Sequence, residues 1–312
     1  MDGIKRFLTV LCIAGCGGGG GGAGTHEDAG PGGPLIDGSQ AGQDGAGSNQ
    51  NPADANQVTS GNDDCASAAT INLAMAHSDI AASTTGANAD LAAPCGTAGT
   101  PDVFFKFTLT RRELVYADTF GASDATALYF ASACTTARSD VTTPGDAVCS
   151  AGACATSQSQ VVALLDPGTH YLVLASQGAA TIHFRHVEVG SGGVTLLPAG
   201  SSTTTGTTSA SGFGTLYACD AGGAENSYWW MTCPGNAGGA FSGSTCGGVT
   251  DFDTMLSLQL PGTESVMCDD DTCLMQSTVT ANIPAGAGLY VLAVDGFSTA
   301  RHGNYTLATM RP

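Results

Sequence analysis

Lysine is almost missing from this chain. Lysine and arginine together number 9 among 312 residues, against 27 acids, for a formal charge of −18. Past residue 16 only seven bases remain, and Lys106 is the single lysine among them. So sparse a positive charge excludes a nucleic-acid groove or a polybasic membrane patch, and leaves an acidic, soluble surface that could attract divalent cations. Charged residues of all kinds make up only 12 %, and no stretch reads as a long amphipathic helix, which excludes bundles and coiled coils. Beyond the N-terminus no apolar run reaches the ~18–20 residues of a spanning helix. Gly-x-Ser-x-Gly and His-Glu-x-x-His are both absent. With neither a nucleophile-and-base signature nor a metalloprotease signature, the expectation is a protein that is not an enzyme and requires no cofactor.

What the chain has is glycine, 45 residues of it, and short runs of Val, Thr and aromatics about five to eight residues long, the usual strand length. One stretch occurs twice. Residues 277–296 run from an apolar strand through a Pro/Gly turn to Leu289-Tyr290-Val291-Leu292, followed by Gly303-Asn-Tyr-Thr-Leu307. Residues 159–175 run likewise to Tyr171-Leu172-Val173-Leu174, followed by Thr181-Ile-His-Phe-Arg-His-Val187. In this reading Tyr171 and Tyr290 are equivalent, 119 residues apart. A period that long is a whole small domain rather than a solenoid repeat. The expected fold is all-β: two antiparallel, jelly-roll-like β-sandwiches in tandem, at 61–189 and 190–312.

Lys5-Arg6 and the apolar run 7–14 form a secretory signal, too short to span a membrane. Ile13-Ala14-Gly15-Cys16 resembles a bacterial lipobox, in which cleavage leaves Cys16 at the N-terminus for diacylation. The residue after it is Gly17 rather than Asp, which by resemblance to enterobacterial sorting points to the outer membrane. Residues 1–15 are then signal peptide. Residues 16–60, rich in Gly and polar residues with five acids and no Lys or Arg, form a disordered tether with an r.m.s. reach of roughly 35–40 Å. The membrane becomes a partner through the lipid, and the protein faces the periplasm or the cell surface.

Ten further cysteines divide evenly: Cys65, Cys95, Cys134, Cys149 and Cys154 in the first half, and Cys219, Cys233, Cys246, Cys268 and Cys273 in the second. An even number in an exported chain argues for disulfides. Zinc on a Cys-x4-Cys pair is the weaker alternative, because no histidine stands beside either pair. Cys149 to Cys154 and Cys268 to Cys273 correspond across the repeat, as do Cys95 and Cys219, and each Cys-x4-Cys could staple its own loop. Five per half leaves an odd cysteine on each side. Either the odd two pair between domains, or the connectivity differs in the two copies.

The first half contains Asp102-Val-Phe-Phe-Lys-Phe-Thr-Leu, whose alternation points Val103, Phe105, Phe107 and Leu109 one way and leaves Phe104 as the large apolar residue on the other side. In the second half Tyr228-Trp229-Trp230 matches Val103-Phe104-Phe105, and Phe252-Asp-Thr-Met-Leu256 matches Asp124-Ala-Thr-Ala-Leu128. These runs, with the Asp166-Pro-Gly-Thr-His-Tyr turn and Gly303-Asn-Tyr-Thr-Leu307, resemble the bacterial pre-peptidase C-terminal domain. That resemblance implies a β-sandwich with an accessory, binding or secretion role, carried by secreted peptidases and by surface lipoproteins of myxobacteria-like organisms. The second half departs from it at 233–248, a Gly/Ser-rich insertion with two extra cysteines.

Two signals could carry function. Cys268-Asp269-Asp270-Asp271-Thr272-Cys273 crowds three carboxylates, which a Ca²⁺ ion would relieve. The resemblance implies that Asp251, Asp253 and Asp295 lie nearby, so calcium is the candidate ion, set against a solvated acidic turn. Trp229 and Trp230 face opposite ways in a strand, so at most one enters the core and the other could stack on a sugar, unless the 233–246 segment covers it. His183 and His186, three apart on a strand, cannot converge on a metal and read as solvent-facing. The expectation is a non-catalytic surface lipoprotein with two binding or adhesion modules for a polysaccharide or protein, and no nucleic acid. A carbohydrate-binding module of a degradative system is the alternative, and a secreted hydrolase the third reading.

Overall fold

The computed structural model describes residues 61–133, 136–137, 148–212, 214, 219, 224–262 and 266–312. The signal peptide, Cys16, the tether and Cys134 lie outside the described residues. Every element is a strand and none of the described residues is helical.

The first half contains β1 (Ala69–Thr70), β2 (His77–Ser83), β3 (Asp102–Leu109), β4 (Glu113–Asp118), β5 (Thr126–Ala133), β6 (Thr136–Ala137), β7 (Cys149–Ser150), β8 (Gln160–Leu165), β9 (Gly168–Ser176) and β10 (Ala179–Glu188). The second contains β11 (Val194–Leu196), β12 (Gly200–Thr207), β13 (Asn226–Thr232), β14 (Gly239–Ser244), β15 (Thr254–Gln259), β16 (Val266–Asp269), β17 (Thr278–Ile283), β18 (Gly288–Gly296) and β19 (Asn304–Arg311). Sheet I runs β1-β3-β9-β5-β6 with β7 beside β5, and sheet II runs β2-β10-β4-β8. Sheet III runs β11-β13-β18-β15-β16, and sheet IV runs β12-β19-β14-β17. The second pair repeats the topology of the first, so the protein is two sandwich-like halves. The 233–248 segment is no insertion: it holds β14, which takes the place of β4. A Gly-Ala-Phe-Ser-Gly-Ser strand lacks the β-branched residues that usually mark one, and only Phe241 of it puts a large side chain into the core.

Alternation builds each core. Phe105, Phe107, Val115, Ala117, Val161, Leu172, Ile182 and Phe184 fill the first. Tyr228, Trp230, Phe241, Leu256, Tyr290, Leu292 and Leu307 fill the second, where Trp230 stacks on Tyr290 at 4.8 Å and on Phe241 at 5.1 Å. The backbone register corrects two matches made from the sequence. The Ile71 N–H donates to the Lys106 carbonyl and the Leu197 N–H to the Trp229 carbonyl, so Trp229 takes the place of Lys106, not of Phe104. Tyr290, stacked on Trp230, takes the place of His170, which faces Phe107 at 5.7 Å. Tyr171 pairs with Lys106 and lies on the opposite face of its sheet. The turn before β18 (residues 284–287) is longer than the turn before β9 (residues 166–167). That turn is two residues longer, so the offset between the halves grows from 118 at Ser159 and Ser277 to 120 at His170 and Tyr290. The 119-residue match of Tyr171 with Tyr290 is one residue out, and a one-residue slip inverts every side chain.

Each sandwich also contains the same buried hydroxyl knot. Thr119 Oγ1 lies 2.6 Å from Thr126 Oγ1, and both accept from the Ser159 N–H, at 3.0 and 3.1 Å. Thr245, Thr254 and Ser277 repeat this at 2.7, 3.0 and 3.1 Å. Ser159 Oγ and Ser277 Oγ then donate to the Thr126 and Thr254 carbonyls, at 2.6 Å in both. The knot ties the end of β4 or β14 to the starts of two further strands with no polar atom left bare.

Neither Cys-x4-Cys closes its own loop. Cys149 pairs with Cys95 and Cys268 with Cys219, equivalent bridges in the two halves. Cys273 pairs with Cys246 inside the second half, whereas its counterpart Cys154 pairs with Cys233 across the halves. Both alternatives left open by the cysteine count therefore hold in part: one bridge crosses, and the connectivities differ. Cys65 is disulfide-bonded as well.

Both tryptophans are buried, Trp229 at 0 % exposure and Trp230 at 1 %. Trp229 is covered not by 233–246 but by the other sandwich. With Leu289 and Val291 it forms a cluster with Leu114, Tyr116, Val162, Leu164 and Val187 from the outer face of sheet II. The two-faced tryptophan pair thus serves two cores, and no indole is left for sugar stacking. Phe104 is buried separately, with Tyr129 and Val173 beneath Leu91 and Ala93.

Trp229→Ala should destabilise the protein by about 3–5 kcal/mol in urea unfolding, the usual range for a buried aromatic truncated to alanine. The double variant Cys154→Ser, Cys233→Ser should lose up to roughly 4.5 kcal/mol, the chain-entropy value for a bridge across 79 residues. An effect below about 1 kcal/mol at Trp229 would show that the sandwiches do not dock through it.

Candidate binding site

The outer face of sheet II is only half covered by Trp229 and its neighbours. Across the rest, cross-strand pairing sets Asp79 on β2 opposite His183 on β10, His183 opposite Asp118 on β4, and Asp118 opposite Gln160 on β8. In the next row inward Arg185 stands between His77 and Tyr116. All of these point away from the core because Ile80, Ile182, Phe184, Val115 and Ala117 occupy the alternate positions. Phe120 of the first sandwich and loops of the second rise beside the row and border a cleft of about 380 Å³, the second sandwich contributing Pro234, Pro261, Gly262 and Leu289.

The polar floor is already organised. Tyr116 Oη donates to Asp118 Oδ2 at 2.6 Å, and the Phe120 N–H donates to Asp118 Oδ1 at 3.0 Å. Gln160 Nε2 donates both to Tyr116 Oη at 3.0 Å and to the Thr232 carbonyl of the second sandwich at 2.9 Å. Arg185 Nη1 donates to the Leu260 carbonyl. His183 Nδ1 meets Asp79 Oδ1 at 2.8 Å. Floor and walls are therefore tied together by Gln160 and Arg185, and the Cys154–Cys233 bridge stands next to Pro234.

Burial raises the Asp118 carboxyl above the usual carboxylate range, against the pull of the Tyr116 hydroxyl and of His183. The same burial, with the Asp118 charge, pushes the Tyr116 phenol far up. Burial works to lower His183. The hydrogen bond to Asp79, the charge on Asp118 and the Phe120 carbonyl together outweigh it and raise the imidazole above its ordinary value.

His183 is thus not a plain surface histidine; it is the centre of a polar row. His186 is separate, with Nδ1 2.6 Å from Glu113 Oε2 and Nε2 3.1 Å from the Met75 carbonyl. The six candidate calcium ligands are not gathered. Asp251 accepts from the Asn304 backbone and side chain, Asp269 from Thr272 and Thr278, and Asp295 from the Gly296 N–H. Asp253 faces Arg301 at 3.8 Å. Asp271 is exposed and Asp270 half-buried, and their loop is not closed by its own cysteines. Among the described residues no three His, Cys, Asp or Glu side chains come together to hold a metal ion. Asp79, Tyr116, Asp118 and Gln160 carry no motif of their own. The one available signal was a strand ending in Asp118, and it gains meaning only from the β2-β10-β4-β8 order.

Residues 61–189, the sandwich that supplies this floor, match a family model described as galactose binding domain-like. That match names a galactose-binding-like domain where the sequence resemblance named a pre-peptidase C-terminal one; a β-sandwich is common to both. No curated protein matches the chain. A solved structure of a protein from Eubacterium rectale, described as secreted, aligns over 68 % of this chain and 70 % of its own, with 11 % identity and a TM-score of 0.20. A likeness that low carries no argument.

The His183 imidazole should titrate above ~6.5, its unperturbed value, in NMR, and Asp79→Asn should bring it down. Because the folded value is raised, the pair's stabilisation is fully present below that unperturbed value. It disappears as pH rises through the folded one. An unchanged midpoint in Asp79→Asn would remove Asp79 as the cause.

Proposed function

We propose that the protein is an exported, non-catalytic binding module whose ligand is a carbohydrate, seated in the cleft between the two sandwiches. The galactose-binding-like match of the first sandwich is the observation that carries this reading. The cleft supports it: a preformed concave site with convergent polar groups and an apolar wall is what small ligands occupy. The disulfides support an oxidising, exported setting. The floor holds carboxylates and an imidazole, and the engagement of Asp118 by Tyr116 and Phe120 and of Asp79 by His183 supports a role in holding a ligand. Kinship with the pre-peptidase C-terminal domain remains part of the proposal at the level of the shared sandwich and of an accessory role.

Attachment belongs to the same proposal. The lipobox-like run ending at Cys16, followed by six glycines, supports an outer-membrane lipoprotein that displays the module at the periplasmic or outer surface. Cys16→Ala should move the protein from the membrane fraction to the soluble one. Continued membrane fractionation of that variant would remove the anchor from the proposal. On a glycan array the oxidised protein should retain at least one carbohydrate class at micromolar concentration, whereas silence across the array would overturn the carbohydrate reading.

A further inference from the structure

The cleft's chemistry narrows its ligand. Resting on the carbohydrate reading, we propose that the site takes a single uncharged hexose residue of a glycan and refuses acidic sugars. Four observations lead there. The volume, about 380 Å³, corresponds to roughly thirteen waters at ~30 Å³ each, which accommodates one pyranose ring with room for its linkage to the next residue. The charged groups facing the cleft are Asp79, Asp118, His77, His183 and Arg185, and no lysine is among them. The fixed cation, Arg185, is 4 % exposed and holds the Leu260 carbonyl, and the His183 imidazole is held by Asp79, so the positive groups at the cleft are already engaged. An anion would instead meet Asp79 and Asp118 across one strand.

The two carboxylates of the floor are held in place. Both carboxylates already have partners, Asp79 in His183 and Asp118 in the Tyr116 hydroxyl and the Phe120 N–H. What the floor can still offer is lone pairs on Asp79 and Asp118 on either side of the His183 ring, whose nitrogens are turned to Asp79 and to the Phe120 carbonyl. Those acceptors suit sugar hydroxyls, each of which can donate to one of them. Beside the floor, Phe120, Pro234 and Pro261, each reached by solvent, give the apolar wall on which the C–H face of a pyranose can lie. Domain one supplies the polar half and domain two most of the wall, so neither sandwich alone forms the site.

The repeat supplies an internal comparison. Strand order and register in the second sandwich put Thr203, Ala308, Ser244 and Thr278 where Asp79, His183, Asp118 and Gln160 stand in the first. The fold therefore does not require the charged row: the same sheet is built with hydroxyls and a methyl group.

The test is titration calorimetry of the oxidised full chain with methyl glycosides of galactose, glucose and mannose, and with galacturonic and glucuronic acids. At least one uncharged glycoside should saturate one site per chain, with the uronic acids at least tenfold weaker. Asp118→Asn and His183→Gln should each weaken that binding at least tenfold, and Asp271→Asn, on the far acidic loop, should leave it unchanged. Melting curves check that the variants fold; should the buried Asp118 variant not fold, Phe120→Ala, which alters a half-buried wall residue, should cost the same order. Uronic acids binding as well as neutral sugars, or glycoside binding indifferent to His183 and Phe120, would overturn the inference while leaving a carbohydrate-binding protein. No glycan retained by the array and no glycoside bound would overturn the carbohydrate reading itself.

Discussion

The indole of Trp229 settles how this molecule is put together. It sits on the outer face of sheet III, where an isolated sandwich would expose it to water, and the outer face of sheet II covers it completely. Its Nε1–H finds no acceptor among the described residues, a desolvation loss of about 1–3 kcal/mol. Removing the ring would forfeit about 3–5 kcal/mol of apolar contact, so burial wins, but narrowly enough that other ties matter. The Cys154–Cys233 bridge and the Gln160 and Arg185 hydrogen bonds across the halves are those ties. Once the sheets are docked, the uncovered polar half of sheet II becomes a floor and the neighbouring loops become walls. The cleft is a by-product of incomplete coverage.

The duplicated topology shows how two similar sequences take different outer surfaces. Core positions are conserved in character: Phe107 against His170 becomes Trp230 against Tyr290, and the Thr119, Thr126, Ser159 knot is repeated with nearly the same distances. Outward positions diverge freely. Lys106, half-buried on sheet I, becomes the fully buried Trp229 on sheet III. The charged row of sheet II becomes an exposed field of threonine and serine on sheet IV, where Thr203, Thr205 and Thr280 face out.

The fold could be read from the chain because strand alternation and turn residues are local. The 102–109 and 160–165 runs announce themselves through β-branched and aromatic spacing. What failed was register and partnership. A longer turn before β18 put Tyr290 one residue out of step, and the glycines of β14 hid a strand. Disulfide partners depend on which loops meet in space, which spacing along the chain does not record. The cleft was unreadable for the same reason: Asp79, His183 and Asp118 lie on three strands far apart in sequence and become neighbours only through pairing. The acidic loop at 269–271 and the tryptophan pair drew attention because they are contiguous, and contiguity is a poor guide to a site built across a sheet.

The bridge from Cys154 to Cys233 has a mechanical meaning. Pulling on the chain from both sides of it sends the load through sulfur rather than through the peptide between, which includes β8, β9, β10 and the start of the second sandwich. At up to ~3.6 Å per extended residue, the shortcut withholds roughly 280 Å of slack across its 79-residue span. A molecule dragged by a heavy polymer would therefore lengthen from its flanks and keep the floor strands β8 and β10 out of the line of tension. Strand β2 and strand β4, upstream of Cys154, would be the part of the floor left to bear it.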